Sequence, residues 1–167
     1  FVGQGPAPAD DGGAYVEIRS EVGCQRSEGR MRTARINSAK ELRVYKKAYS
    51  LAMAIFKISK RWPSEERFAL TGQIRRSSRS VCANLREAWA KRRYPAHFVS
   101  KLTDADGENS ETDTWLDFAM DCGCISDENH RRLTMDCREV GAMLGSMLNT
   151  PDPFLSRSDI RRPTSDV

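Results

Sequence analysis

At 167 residues and 18.8 kDa the chain is long enough for one domain with a real core and too short for two full ones. It has no run of about 18 apolar residues to span a membrane, and its opening, FVGQGPAPADDGG, lacks the basic region and apolar centre of a secretory leader. The net charge of +4 hides a split: residues 31–101 hold 18 Lys/Arg against 4 Asp/Glu, and residues 102–167 hold 6 against 14. Such asymmetry points to a nucleic-acid partner, or to one half of the chain neutralising the other.

Residues 1–37 are rich in Gly, Asp, Ser and Arg and lack sustained periodicity, so a disordered N-terminal extension is expected there. Met31 opens a plausible start, and residues 1–30 are expected to be foreign to the domain. A first helix is predicted from Ser38, because Ser38 and Glu41 have capping-box spacing. Leu42, Tyr45, Tyr49, Ala52, Ile55 or Phe56, and Ile58 supply its apolar face, with Lys40, Arg43, Lys46, Lys47, Lys57 and Lys60 outside. The Trp62-Pro63 pair ends it, since the residue before proline is pushed out of helical geometry. A short loop follows, whose Phe68 and Leu70 are expected to enter the core.

The second helix, about Thr71 to Arg92, carries three stripes. Ile74, Ser78, Val81, Leu85 and Ala88 recur at the period of a buried face. Gln73, Ser80 and Glu87 form a polar line at heptad spacing. Arg79, Arg86 and Arg93, with Arg75 one turn earlier, form a cationic line about 140° round from the apolar one, and so should face outward.

Tyr94-Pro95 punctuates the next turn. The third helix, to about Cys122, has the seam Phe98, Leu102, Ala105, Asn109, Thr112, Leu116 and Ala119. Gly107 lies in its middle, and close helix approach would explain a glycine there. Gly123 is a natural stop. Ser126 can cap a fourth helix with Leu133, Cys137, Val140, Leu144 and Met147 on its core face. Four amphipathic helices joined by short turns predict an all-α, antiparallel up-down-up-down four-helix bundle over 38–150, followed by a flexible tail over 151–167.

Within that frame, three motifs carry a resemblance. They are Leu42-x-x-Tyr45-x-x-Ala48; Pro63-x-Glu65-Glu66-x-Phe68-x-Leu70-x-x-Gln73-x-Arg75-Arg76; and Ser80-Val81-x-x-Asn84-x-x-Glu87. Together with Phe98 to Gly107 and Leu116-x-x-Ala119 to Ile125, they resemble the bundle proteins named after 23S ribosomal RNA intervening sequences, over about residues 39 to 150. That family includes the accessory protein of diversity-generating retroelements, which acts with a reverse transcriptase. The resemblance implies a ring-shaped homo-oligomer, commonly a homopentamer, with no catalytic activity assigned and with nucleic-acid binding as the usual suggestion. The chain departs from the pattern at Ala88, where glycine is usual, and in the acidic Gly107-Glu108-Asn109-Ser110-Glu111.

The candidate nucleic-acid contacts are Arg75, Arg76, Arg79, Arg86, Lys91, Arg92 and Arg93, with the lysines of the first helix in second rank. Ordered Lys/Arg bind phosphates without a base-reading motif. The rival reading pairs these charges with the acidic third and fourth helices, leaving a protein-interaction scaffold. Gln73, Ser80, Asn84 and Glu87 are candidates for a subunit interface or a polar core. No catalytic residue, cofactor or metal ligand is expected. The only histidines, His97 and His130, lack a glutamate three residues earlier, as a di-metal bundle requires. Cys122-x-Cys124 is a single tight pair where zinc sites use two. With no G-x-S-x-G element or phosphate-cradling loop either, an enzyme is not expected. The five cysteines (Cys24, Cys82, Cys122, Cys124, Cys137) are odd in number and scattered, which fits reduced thiols in a cytoplasmic protein.

Overall fold

The computed structural model describes residues 36–156, so the extension expected before residue 36 and the tail beyond 156 lie outside the described residues. Four α-helices follow one another: α1 (Arg43–Ile58), α2 (Thr71–Lys91), α3 (Pro95–Asp121) and α4 (Asp127–Asn149). Short 3-10 turns occupy Ala39–Glu41, Ser59–Arg61, Ser64–Arg67 and Asp152–Phe154, and no strand occurs among the described residues. The fold is all-α.

α1 packs against α2 and α4, and α3 packs against the same two helices, most extensively against α2. Arg76, early in α2, meets Glu111, late in α3, whereas Glu87, late in α2, meets Lys101, early in α3. Ser59 after α1 bonds Arg75 early in α2, and Asn109 of α3 bonds Cys137 of α4. One core runs through all four helices, with Ile55, Ile74, Leu85, Phe98, Leu102, Leu116, Leu133 and Leu144 fully buried. Burying each such side chain is worth about 1.5–3 kcal/mol, which is what holds helices of modest intrinsic propensity in place.

The seam expected on α3 is buried at every position. Its two polar members are matched across the core. Asn109 Nδ2 donates to the Cys137 carbonyl at 3.0 Å, and the Thr112 hydroxyl lies 2.9 Å from that of Ser77. Gly141 lies beside the first bond, where a Cβ would come into ordinary van der Waals contact with Asn109 Nδ2 at 3.4 Å.

Helix ends differ from expectation at both ends of α1, which stops at Ile58 and reaches Trp62-Pro63 through a 3-10 turn over Ser59–Arg61, and agree elsewhere. Ser38 accepts from the Lys40 N–H, but Glu41 accepts from Asn37 rather than from Ser38. Together they cap a 3-10 turn, and α1 begins only after Leu42, whose ψ of 134° interrupts the helix. The two-step entry buries both Ala39 and Leu42. α3 ends as expected at Gly123, with φ of 70°. There the Gly123 N–H bonds the Met120 carbonyl and the Cys124 N–H bonds the Ala119 carbonyl, the reciprocal pattern of a Schellman turn. Ser126 caps α4 by accepting from the Asn129 N–H.

Four readings are corrected. Tyr49, expected on the apolar face of α1, is 55% exposed, and Val44, Ala48 and Leu51 are buried there with Ala52 and Ile55. Phe68 is 82% exposed; Leu70 alone fills the core position, and Phe68 turns outward beneath the Arg67 guanidinium. Gly107 makes no close helix approach, since a Cβ there would meet nothing within 4 Å. Residues 151–156, assigned to a flexible tail, fold back: Phe154 stacks on Phe98 at 6.5 Å and the Ser156 N–H bonds the Arg92 carbonyl.

A cationic groove on the second helix

The outer face of α2 forms an open groove of about 480 Å³ lined by Gly72, Arg75, Arg76, Arg79, Ser80 and Ala83. Its lining combines three small residues with three arginines. Helical spacing explains this: Gly72, Arg76, Arg79 and Ala83 point away from the side that buries Ile74, Val81 and Leu85.

On the α1 side, the ring of Phe56 gathers three cations. Lys60 Nζ lies 4.8 Å from its centroid, Arg75 Cζ 5.1 Å and Arg79 Cζ 5.5 Å. Arg75 is held further by donating from Nε to the Ser59 hydroxyl at 2.7 Å. It is half-buried rather than outward, and desolvation first, then repulsion from Arg79, lowers its pKa from the usual arginine value. Each ring contact is worth about 0.5–1 kcal/mol at an exposed site, so the aromatic face orders like charges that would otherwise spread apart. No carboxylate pairs with Lys60, Arg75 or Arg79 among the described residues.

Arg76 turns the other way. Its guanidinium reaches Glu111 at 2.7 Å and Glu108 at 3.7 Å on α3, and Glu111 also accepts from Trp115 Nε1 at 3.0 Å. Arg86 and Lys91 are exposed and form no ion pair among the described residues. Arg92 is half-buried, with its guanidinium 4.2 Å from the Trp89 ring and donating to the Trp89 carbonyl. Arg93 is exposed past the end of α2. Thus Arg75, Arg76 and Arg79 share one groove, while Arg86, Lys91, Arg92 and Arg93 continue beyond it.

The polar line follows the α2–α3 edge instead of entering the core. Gln73, Ser80 and Asn84 are half-buried and Glu87 is exposed. Gln73 accepts from Arg76 Nε at 3.4 Å, Glu87 pairs with Lys101 at 3.0 Å, and Ser80 lines the groove. The buried polar positions of α2 are Thr71, Ser77 and Ser78, one step round the helix. Sequence reading placed Phe56 only as an alternative to Ile55. Its ring anchors the groove, and the Phe56–Lys60 spacing of one helical turn was the available signal.

Elsewhere, burial pushes the Cys137 thiol up to about 12 and that of Cys82 to about 11, so both are poor nucleophiles and ligands at neutral pH. His130 Nε2 lies 2.7 Å from Asp117. No group of three His, Cys, Asp or Glu side chains able to hold a metal occurs among the described residues. No helix there is long and apolar enough to cross a membrane.

The architecture and groove define a small all-α protein of four helices with a cationic outer face. Residues 40–146 match the 23S rRNA-intervening sequence protein family, and the chain belongs to it. A similar solved structure is a protein of unknown function from the S23 ribosomal protein family of Bacteroides thetaiotaomicron VPI-5482, determined at 1.70 Å. It is 31% identical with a TM-score of 0.59, over 64% of this chain and 96% of that one. No curated protein matches the chain.

Proposed function

We propose that this protein is a non-catalytic nucleic-acid-binding protein whose cationic groove on α2 contacts the phosphates of RNA or DNA. One observation carries the reading: Lys60, Arg75 and Arg79 converge on Phe56, and among the described residues no carboxylate pairs with them. Ordering like charges without a counter-ion is favourable where an external anion completes the site. Arg86, Lys91, Arg92 and Arg93 extend the same face, and Arg76, paired with Glu111 and Glu108, borders it.

In this reading the helices form an antiparallel up-down-up-down bundle. The opposed pairings Arg76–Glu111 and Glu87–Lys101 support it, since early residues of one helix meet late residues of the next. The bundle assembles with copies of itself into a ring, a homopentamer by family resemblance, with Gln73, Ser80, Asn84 and Glu87 at or near subunit contacts. A ring multiplies one weak phosphate site by its subunit number. Four free cysteines among the described residues are in keeping with a reduced, cytoplasmic setting.

The test is the double variant Arg79→Glu, Arg86→Glu in a gel-shift assay with RNA and DNA. Binding should fall by about tenfold or more while helical content and oligomer mass stay unchanged, and wild-type affinity should drop steeply with salt. Undiminished affinity in the variant sinks the proposal.

One set of contacts favours a second reading. Arg76 is neutralised by Glu108 and Glu111, Lys101 by Glu87 and Asp104, and Lys47 by Asp136 and Glu139. If the basic half serves this pairing, the protein is an interaction scaffold for another protein, such as a reverse transcriptase. It then binds no nucleic acid even at low salt.

A further inference from the structure

We propose that the α2 groove takes single-stranded nucleic acid, with bases stacked on two exposed aromatic positions at its edges, Phe68 and the Trp115–Phe118 pair. The inference rests on the phosphate-binding reading above and adds to it the class of strand bound.

Both positions are tied to the groove. Phe68 is 82% exposed, and the carbonyl of its neighbour Arg67 stands 3.2 Å from where a Cβ on Gly72, a groove residue, would lie. The Arg67 guanidinium lies 5.7 Å from the Phe68 ring centroid. On the other edge Arg76, a groove residue, bonds Glu111, and Glu111 accepts from the indole of Trp115. The Trp115 ring lies 5.7 Å from that of Phe118, which is 52% exposed. Indole and guanidinium share one carboxylate, so the half-buried Trp115 is held in place and braces the exposed Phe118. Phe68 and Phe118, at 82% and 52% exposed, present flat apolar rings that can stack on another flat apolar surface. Cations flanked by exposed rings match a strand whose phosphates and unpaired bases alternate. A duplex presents the phosphates but keeps its bases stacked inside, so it leaves both rings unused.

The experiment compares three fluorescent probes by anisotropy at one salt concentration: a single-stranded oligonucleotide, the same strand with abasic sites throughout, and its duplex. Wild type should bind the intact strand about ten- to a hundredfold more tightly than the abasic one. Phe68→Ala with Phe118→Ala should erase that preference while leaving abasic and duplex binding unchanged. Phe118→Leu keeps apolar bulk without a flat ring, and should lose its share of the preference as the alanine variant does. Equal wild-type affinity for intact and abasic strands overturns the stacking proposal and leaves the phosphate reading standing. Preference retained in the double variant, or fully retained with leucine, overturns it too. So does a loss of self-association with the preference intact, which would make the rings a face between copies. No binding of any probe overturns both readings.

Discussion

Glu108 carries a carboxylate into the seam between α2 and α3, where its Oε2 has no hydrogen-bond partner among the described residues. Burial pushes its pKa above the ordinary glutamate value, against the opposing pull of Arg76. A raised folded-state pKa means that the ionised form costs stability. The cost is absent below the ordinary glutamate range and complete above the folded value. Glu108→Gln should therefore raise stability at pH 7 by about 1 kcal/mol, read as a higher Tm, and the gain should vanish as pH falls through that range. A lower Tm at pH 7 would show that the Arg76 contact outweighs the burial. Arg76 has a second carboxylate partner, Glu111, at 2.7 Å, which the substitution does not touch. This seam also marks where sequence reading stopped. The arginines of α2 were legible from spacing, but their partners were not. Arg75 meets Ser59 and Arg76 meets Glu111, 16 and 35 residues away, and a periodicity within one helix carries no information about its neighbours. Phe68 shows the same limit: two apolar residues in a short loop competed for one core position, and only packing decided that Leu70 takes it.

Among the elements, α3 was the most legible. Its seven seam residues, polar ones included, are its buried residues, because a 27-residue helix pressed between two neighbours must keep one strict period. The helix ends were less uniform. Gly123 and Ser126 act through their own backbone and side chain and could be recognised locally, whereas the Ser38–Glu41 spacing capped a 3-10 turn because burying Ala39 and Leu42 requires the chain to bend between them. The two glycines of this region should respond oppositely to alanine. Gly107→Ala fills open space on a helical backbone and should stabilise the protein by about 0.5–1 kcal/mol. Gly123→Ala forces a side chain into φ of 70° and should cost about 1–2 kcal/mol. Urea melts of the two variants, with midpoints shifting in opposite directions, check both expectations.

At the scale of the whole molecule, the charge split between the halves of the chain is partly consumed by the fold. Lys47, Arg76 and Lys101 find acidic partners on α3 and α4 or, for Lys101, on α2 as well. Among the described residues, Lys60, Arg75, Arg79, Arg86 and Lys91 do not. That residue of unmatched charge explains why the composition could point toward a polyanion and toward internal neutralisation at once: different cations do each. If the exposed face of α2 is repeated around a ring, light scattering should give a mass of several times 18.8 kDa, about five by family resemblance, independent of added nucleic acid. A monomer mass at all concentrations would remove the ring from the proposal. The family match ends at residue 146, yet Phe154 covers Phe98 and Ser156 is tied to the backbone of Arg92. The chain therefore closes a strap across the α2–α3 corner after its last helix. Any shortened version trimmed to the limits of the family match would uncap a core phenylalanine and release the cationic end of α2 together, so a fall in binding after such trimming would say nothing about the deleted residues as ligands.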